Sequence, residues 1–183
     1  MALARLYWST ERYEESRKWY DRLSNYSTSF DVADLEWERN VLGARLALRE
    51  GLLSAAQRHV EQARESPHAT LDLPRMLWRA CEIELRLARR ERPCTETELE
   101  DLVVLHKRAR GLGCHDEVML AVFLSLRFYG RESEAMELLR AYLQHHRRNG
   151  FQVDSRLLNL HSPEAPSVFH DRTCTVVQPS VSA

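Results

Sequence analysis

Residues 2–20 read ALARLYWSTERYEESRKWY, and their pattern is the clearest indication of the fold in the chain. Large apolar side chains recur at alternating three- and four-residue steps on both sides of a polar break at 9–12. That spacing predicts two short helices joined by a tight turn. The small residues Ala4 and Ser16 are expected to face each other across this hairpin, with Tyr7 and Tyr20 filling the space beside them. One such hairpin cannot bury its own apolar face, so further helices must pack on it.

The same order of helix, break and helix is predicted three more times. Apolar residues have helical spacing over 34–49 and 54–66, over 74–92 and 95–109, and over 115–129 and 133–148. Thr95 and Glu98 have the spacing of a capping box, in which a hydroxyl and a carboxylate satisfy backbone N–H groups at a helix start. The other residues expected to begin or end these helices are Gly51, Ser54, Pro67, Pro74, Pro93, Gly111, Gly113, Gly130 and Gly150. Eight helices in four antiparallel pairs follow, with a polar connector over 24–34.

Small residues at the expected helix crossings make this pattern similar to tetratricopeptide repeats. The first pair matches best, and the second and fourth match through Gly43, Ala56 and Ala135, while the third lacks the small-residue signature. Corresponding positions lie 33 to 46 residues apart, so the units are not regular repeats of about 34 residues. Over residues 2–150 the chain resembles the degenerate, longer repeats in the sensor regions of maltose-regulator-type bacterial signalling proteins.

The resemblance implies an all-α, right-handed solenoid of about four antiparallel helix pairs over residues 1–150. Residues 151–183 lack helical periodicity and carry Pro163, Pro166 and Pro179, so a mostly disordered, flexible tail is expected there. Repeats of this type resemble one another in fold more than in function, which leaves the partner open.

The same resemblance implies a non-catalytic adaptor or regulatory module that binds another protein or a peptide segment. In that family the concave face is lined by the first helix of each pair. The outward first-helix positions here are Arg5, Trp8, Glu38, Arg45, Arg79, Glu82, Arg86, Phe123 and Arg127. Trp8 is the best candidate for an exposed aromatic anchor, because arginines flank it and aromatic side chains often dominate binding energy.

Composition excludes several other classes of function. The chain has 183 residues, is 44% hydrophobic and carries a formal net charge of −1, so no large field would steer it to nucleic acid or an anionic membrane. No apolar run approaches the roughly 20 residues that cross a bilayer. The first residues lack a signal-peptide pattern, and a cytoplasmic location is expected.

Neither catalysis nor a cofactor is expected. The sequence has no phosphate-binding glycine loop and no nucleophile or metalloprotease motif. The four cysteines, Cys81, Cys94, Cys114 and Cys174, are too scattered for a disulfide framework or a zinc site. An anion site at 145–148, or a metal site there together with Cys114 and His115, is disfavoured, since basic residues in a last helical turn complement the helix dipole.

Two alternatives remain open. The arginines at 86, 89, 90 and 92 could contact RNA, although Glu82, Glu84 and Glu91 are interleaved with them and the repeat units are irregular. Leu3, Leu6 and Tyr7 would leave apolar surface on the N-terminal repeat, which a further repeat or a second copy of the chain would cover.

Overall fold

The chain is all-α in a computed structural model that describes residues 2–26, 33–109 and 115–149. These residues form eight helices and no strand, which confirms the prediction of an all-α protein. The helices are α1 (Ala2–Ser9), α2 (Tyr13–Tyr26), α3 (Ala33–Arg49), α4 (Leu53–Glu65), α5 (Asp72–Ala88), α6 (Glu96–Ala109), α7 (His115–Phe128) and α8 (Glu132–Asn149). The predicted stops at Gly111, Gly113 and Gly150 and the predicted tail at 151–183 lie outside the described residues.

Most helix ends fall where the breaking residues predicted them. Gly51 and Gly130 have φ values of +73° and +71°, a conformation that glycine adopts without a Cβ clash. The capping box at the start of α6 is confirmed: the Thr95 N–H donates to Glu98 Oε2 at 2.7 Å, and the Glu98 N–H donates to Thr95 Oγ1 at 3.2 Å.

Three predicted boundaries are corrected. Helix α4 begins at Leu53, so Ser54 lies inside its first turn, and no side chain caps that end. Helix α5 begins at Asp72, two residues before Pro74, a position that proline tolerates because N–H groups in a first turn have no partner within the helix. Helix α2 runs to Tyr26 and takes up the start of the predicted polar connector.

The first hairpin has the predicted close contact between α1 and α2. Ala4 and Ser16 are both fully buried, and the Ser16 hydroxyl donates to the carbonyl oxygen of Ala4 at 2.8 Å. Tyr20 is buried beside them, in a cluster that Leu42 and Leu46 of α3 complete. This cluster joins α1 and α2 to α3.

Each helix packs against the next helix along the chain, and α3, α5 and α7 also contact one another in series. The main core runs through α3 to α8. Helix α7 is central to it, because α5, α6 and α8 all pack against it. Its six consecutive residues 118–123 are buried, so this helix has no exposed stripe over that length.

A polar cluster lies where α2, α3 and α4 meet. Tyr20 Oη lies 3.4 Å from His59 Nε2, and His59 Nδ1 lies 3.3 Å from Oδ1 of Asn40, which is buried. Gly43 permits this approach, because a Cβ atom there would lie 2.5 Å from Tyr20 Oη. Burial lowers the pKa of His59, and the neighbouring arginines, of which Arg58 has the largest effect, lower it further.

Candidate functional site

A cavity of about 360 Å³ opens between the odd-numbered helices. We call it the first-helix cavity, because every residue that lines it belongs to α1, α3, α5 or α7, the first helices of the four predicted pairs. The lining residues are Arg5, Leu6, Trp8, Ser9, Trp37, Glu38, Val41, Leu42, Arg45, Leu77 and Glu117. Four of the nine site residues predicted from the sequence lie together here: Arg5, Trp8, Glu38 and Arg45.

The lining of the first-helix cavity is largely apolar. Val41, Leu42 and Leu77 present the small exposed parts of otherwise buried side chains. Trp8 and Trp37 are partly buried and leave part of each indole accessible. Tyr13 of α2 holds the Trp8 ring in an edge-to-face contact, with centroids 5.0 Å apart and planes at 71°. Trp8 and Trp37 therefore form aromatic parts of the wall, and Tyr13 holds Trp8 in position.

Two ion pairs join the helices around this apolar surface. Arg5 Nη1 of α1 lies 2.5 Å from Glu38 Oε1 of α3, and Arg45 Nη1 of α3 donates to Glu117 Oε1 of α7 at 3.0 Å. The Arg45 side chain is only 9% exposed and that of Glu117 is 21% exposed. Removing one member would leave a poorly hydrated charge, so this second pair constrains α3 and α7 relative to each other.

A second cavity of about 280 Å³ lies next to the first and shares Trp8 and Arg45 with it. Its other lining residues are Tyr13, Leu48, Arg49, Glu84 and Ala88. The Arg49 guanidinium lies 3.6 Å from the centroid of the Tyr13 ring, within the range of a cation–π contact. Trp8 and Arg45 therefore border both cavities.

The predicted residues on α5 lie away from the first-helix cavity. Arg79 Nη2 lies 3.8 Å from Glu98 Oε1 of α6. Arg86 donates to Glu82 at 2.9 Å, and Arg64 of α4 lies 4.0 Å from the same carboxylate. These side chains therefore face α4 and α6, the second helices of their pairs.

The two predicted residues on α7 also lie elsewhere. Phe123, expected on the outward face, is fully buried in the core. Arg127 donates to Glu132 at 2.8 Å, across the break between α7 and α8. Because apolar residues surround α7 on all sides, hydrophobic periodicity does not mark which face is outward.

Sequence reasoning missed several lining residues, of which Trp37, Leu77 and Glu117 are the most informative. Trp37 is adjacent to the predicted Glu38 and could have been found by widening the outward face of α3 by one residue. Leu77 and Glu117 reach the cavity only because α5 and α7 cross α3 where they do. No sequence signal marks a position that depends on helix crossing.

Arginines of the basic run at the end of α5 form hydrogen bonds within the protein. Arg86 also donates to the Pro93 carbonyl oxygen at 3.3 Å, and Arg89 donates to Gln57 of α4. Arg92 donates to the Tyr129 hydroxyl at 2.6 Å, and Tyr129 donates to the Cys94 carbonyl oxygen. Three of the four arginines of the RNA alternative thus donate hydrogen bonds to other groups of the protein.

His146 near the end of α8 and the described thiols, Cys81 and Cys94, are buried inside the fold. His146 is buried, its ring centroid lies 4.1 Å from that of Tyr142, and its Nε2 lies 3.6 Å from Asp116 Oδ1. Cys81 is fully buried, which raises its thiol pKa to about 11. Within residues 2–26, 33–109 and 115–149, no three His, Cys, Asp or Glu side chains are grouped to hold a metal ion.

No protein-family model, curated protein or solved structure matches this chain significantly. In the described part of the chain, no helix combines the length and the apolar character needed to cross a bilayer. The candidate site therefore has to be interpreted from its own geometry.

Proposed function

We propose that this chain is a non-catalytic adaptor or regulatory module that binds a protein or peptide segment on the concave face of a right-handed, tetratricopeptide-like solenoid. The observation that carries the proposal is the composition of the first-helix cavity. Residues of α1, α3, α5 and α7 come together there although they are spread over more than 100 positions. Partly exposed indoles beside buried aliphatic side chains are typical of sites that anchor a partner.

The order of helix contacts supports the solenoid. In stacked helical pairs, the first helix of each pair packs on its own second helix and on the first helix of the next pair. Helices α3, α5 and α7 contact one another in that order, and each also contacts its neighbours along the chain. The short breaks at 10–12, 50–52 and 129–131 favour antiparallel neighbours.

Self-association through the N-terminal repeat belongs to the same proposal. Leu3 and Leu6 of α1 are 47% and 55% exposed, and they lie one turn apart on one face of the helix. Light scattering of the full chain over a range of concentrations tests this part. A mass that rises with concentration and falls back with Leu3→Asp supports self-association, whereas a strict monomer at high concentration argues against it.

Peptide binding can be tested with the full chain and a random 12-residue peptide library displayed on phage. Leu6 lines the first-helix cavity and Leu3 does not, yet both are exposed leucines of α1. We expect enriched peptides to bind the wild type and the Leu3→Asp variant, and to lose at least tenfold in affinity with Leu6→Asp. Failure to enrich any peptide, or equal binding by both variants, would show that the proposal is wrong.

The RNA alternative is tested in parallel with a 12-nucleotide single-stranded RNA. Binding that weakens steeply with salt and disappears in the Arg86→Glu, Arg89→Glu double variant would replace the peptide proposal. Binding that survives both changes, or no binding at all, would remove the alternative.

A further inference from the structure

We infer that the first-helix cavity takes one bulky, uncharged apolar side chain from the partner, of the tryptophan, phenylalanine or leucine type. This inference rests on the proposed function and specifies the chemistry of the residue that enters the cavity. It follows from three observations: the pairing of the charges, the composition of the surface and the size of the space.

The charges that line the first-helix cavity neutralise one another. Its lining contains two arginines and two glutamates, and each arginine is paired with one glutamate, Arg5 with Glu38 and Arg45 with Glu117. An entering ammonium or carboxylate would be partly desolvated and would have to displace a partner from one of these pairs. An uncharged side chain leaves both pairs intact, and electrostatic complementarity therefore favours it.

The surface between the two ion pairs is apolar. Trp8 and Trp37 offer parts of their rings, and Val41, Leu42 and Leu77 offer methyl groups. When an apolar side chain of the partner enters, this surface and the surface of the entering side chain are both removed from water. That removal is the main favourable contribution to the free energy of such an association. Edge-to-face contact with the indoles adds to this when the entering residue is aromatic.

The cavity is large enough to hold a bulky side chain of this type. At about 360 Å³ it lies near the lower end of the range for small-molecule sites, roughly 300–1,000 Å³. The neighbouring cavity of about 280 Å³ shares Trp8 and Arg45 with it and is a second opening beside the same indole.

The test uses synthetic, fluorescently labelled versions of peptides enriched by selection on the full chain, with affinity measured by fluorescence anisotropy. Each large apolar position is replaced in turn by Ala, Lys and Glu. We expect one position at which Ala weakens binding at least tenfold and at which Lys and Glu weaken it at least as much. The same peptide should bind the Leu6→Asp variant more weakly than the wild type, and it should not bind the Leu3→Asp variant more weakly.

A second cavity variant, Ser9→Trp, keeps the test valid if Leu6→Asp fails to fold. Ser9 is exposed at the end of α1 and lines the first-helix cavity, so Ser9→Trp should obstruct it without removing a buried group. Helical circular dichroism confirms that each variant is folded, and Ser9→Trp should also weaken binding at least tenfold.

The outcomes separate the inference from the proposed function. The inference is wrong, and the proposed function still stands, if both cavity variants weaken peptide binding but the essential peptide residue is Lys, Arg, Asp or Glu. Peptides that neither variant weakens would overturn both, because the partner would then bind elsewhere.

Discussion

Replacement of Gly43 by alanine should destabilise the protein, although alanine is the better helix former. In an exposed helix interior, glycine to alanine gains about 1 kcal/mol. Here the new Cβ would lie 2.5 Å from Tyr20 Oη and 2.9 Å from the His59 ring, distances at which one of these groups must move. The Tyr20 hydroxyl and the His59 ring atoms belong to rigid rings that are packed between helices. Relieving the clash with the new Cβ therefore requires α2 or α4 to shift away from α3.

The expected cost can be worked from these contacts. Overpacking a well-filled contact costs about 1–3 kcal/mol, and loss of the contact between Tyr20 and His59 adds about 1 kcal/mol. After subtraction of the helix-propensity gain, Gly43→Ala should lower the free energy of unfolding by about 1–3 kcal/mol. Urea denaturation followed by circular dichroism at 222 nm measures this change.

A second substitution identifies the atom responsible. Tyr20→Phe removes the hydroxyl that lies nearest to the new Cβ, so Gly43→Ala should cost less in a Tyr20→Phe background than in the wild type. Neutral or stabilising behaviour of Gly43→Ala in the wild type would refute the reasoning, since α2 and α4 would then not approach α3 at this residue.

Three further predictions follow from other contacts. Ala4→Leu should overpack the contact between α1 and α2 and lower the free energy of unfolding by about 1–3 kcal/mol. Arg17→Ala loses an ion pair with Glu50 on the surface and should lower it by less than about 1 kcal/mol. Thermal unfolding ranks the two variants. Because the fold lowers the pKa of His59, the unfolded chain binds the proton more readily, and stability should fall as pH drops below about 6.5. Urea midpoints at pH 7.5 and 5.5 should differ more for the wild type than for His59→Gln, and equal differences would contradict this. The Cys81 thiol should resist iodoacetamide at pH 8 until urea unfolds the chain, which mass spectrometry of its peptide checks.

The helices were predictable because their ends depend on local chemistry. Gly51 and Gly130 adopt left-handed conformations that other residues disfavour, and the hydroxyl and carboxylate of the box at Thr95 satisfy N–H groups within one turn. The hairpin of α1 and α2 was predictable for a related reason, since two small residues at crossing positions allow two backbones to approach. Ser54 shows the limit of this reasoning, because a residue that suits an N-cap does not by itself set where the helix begins.

The candidate site was predictable on α1 and α3 but not on α5 and α7. Arg5 and Trp8 on α1, and Glu38 and Arg45 on α3, were placed by register and line the same cavity. On α5 the predicted arginines pair with Glu98 and Glu82 away from the cavity, and on α7 the predicted Phe123 lies in the core. Which side of a central helix meets a cavity depends on crossing angles with its neighbours, and these are long-range properties.

The ion pair between Arg45 and Glu117 also determines when the first-helix cavity can form during synthesis of the chain. The two residues are 72 positions apart, so at about 5–20 residues per second a ribosome adds Glu117 roughly 4–14 seconds after Arg45. Helices and short hairpin contacts form within microseconds, so α3 and α4 meet each other long before α7 exists. During that interval Arg45 cannot form this ion pair. The first-helix cavity is therefore completed late in synthesis, and a nascent chain that ends before α7 carries Trp8 and Trp37 without the complete cavity.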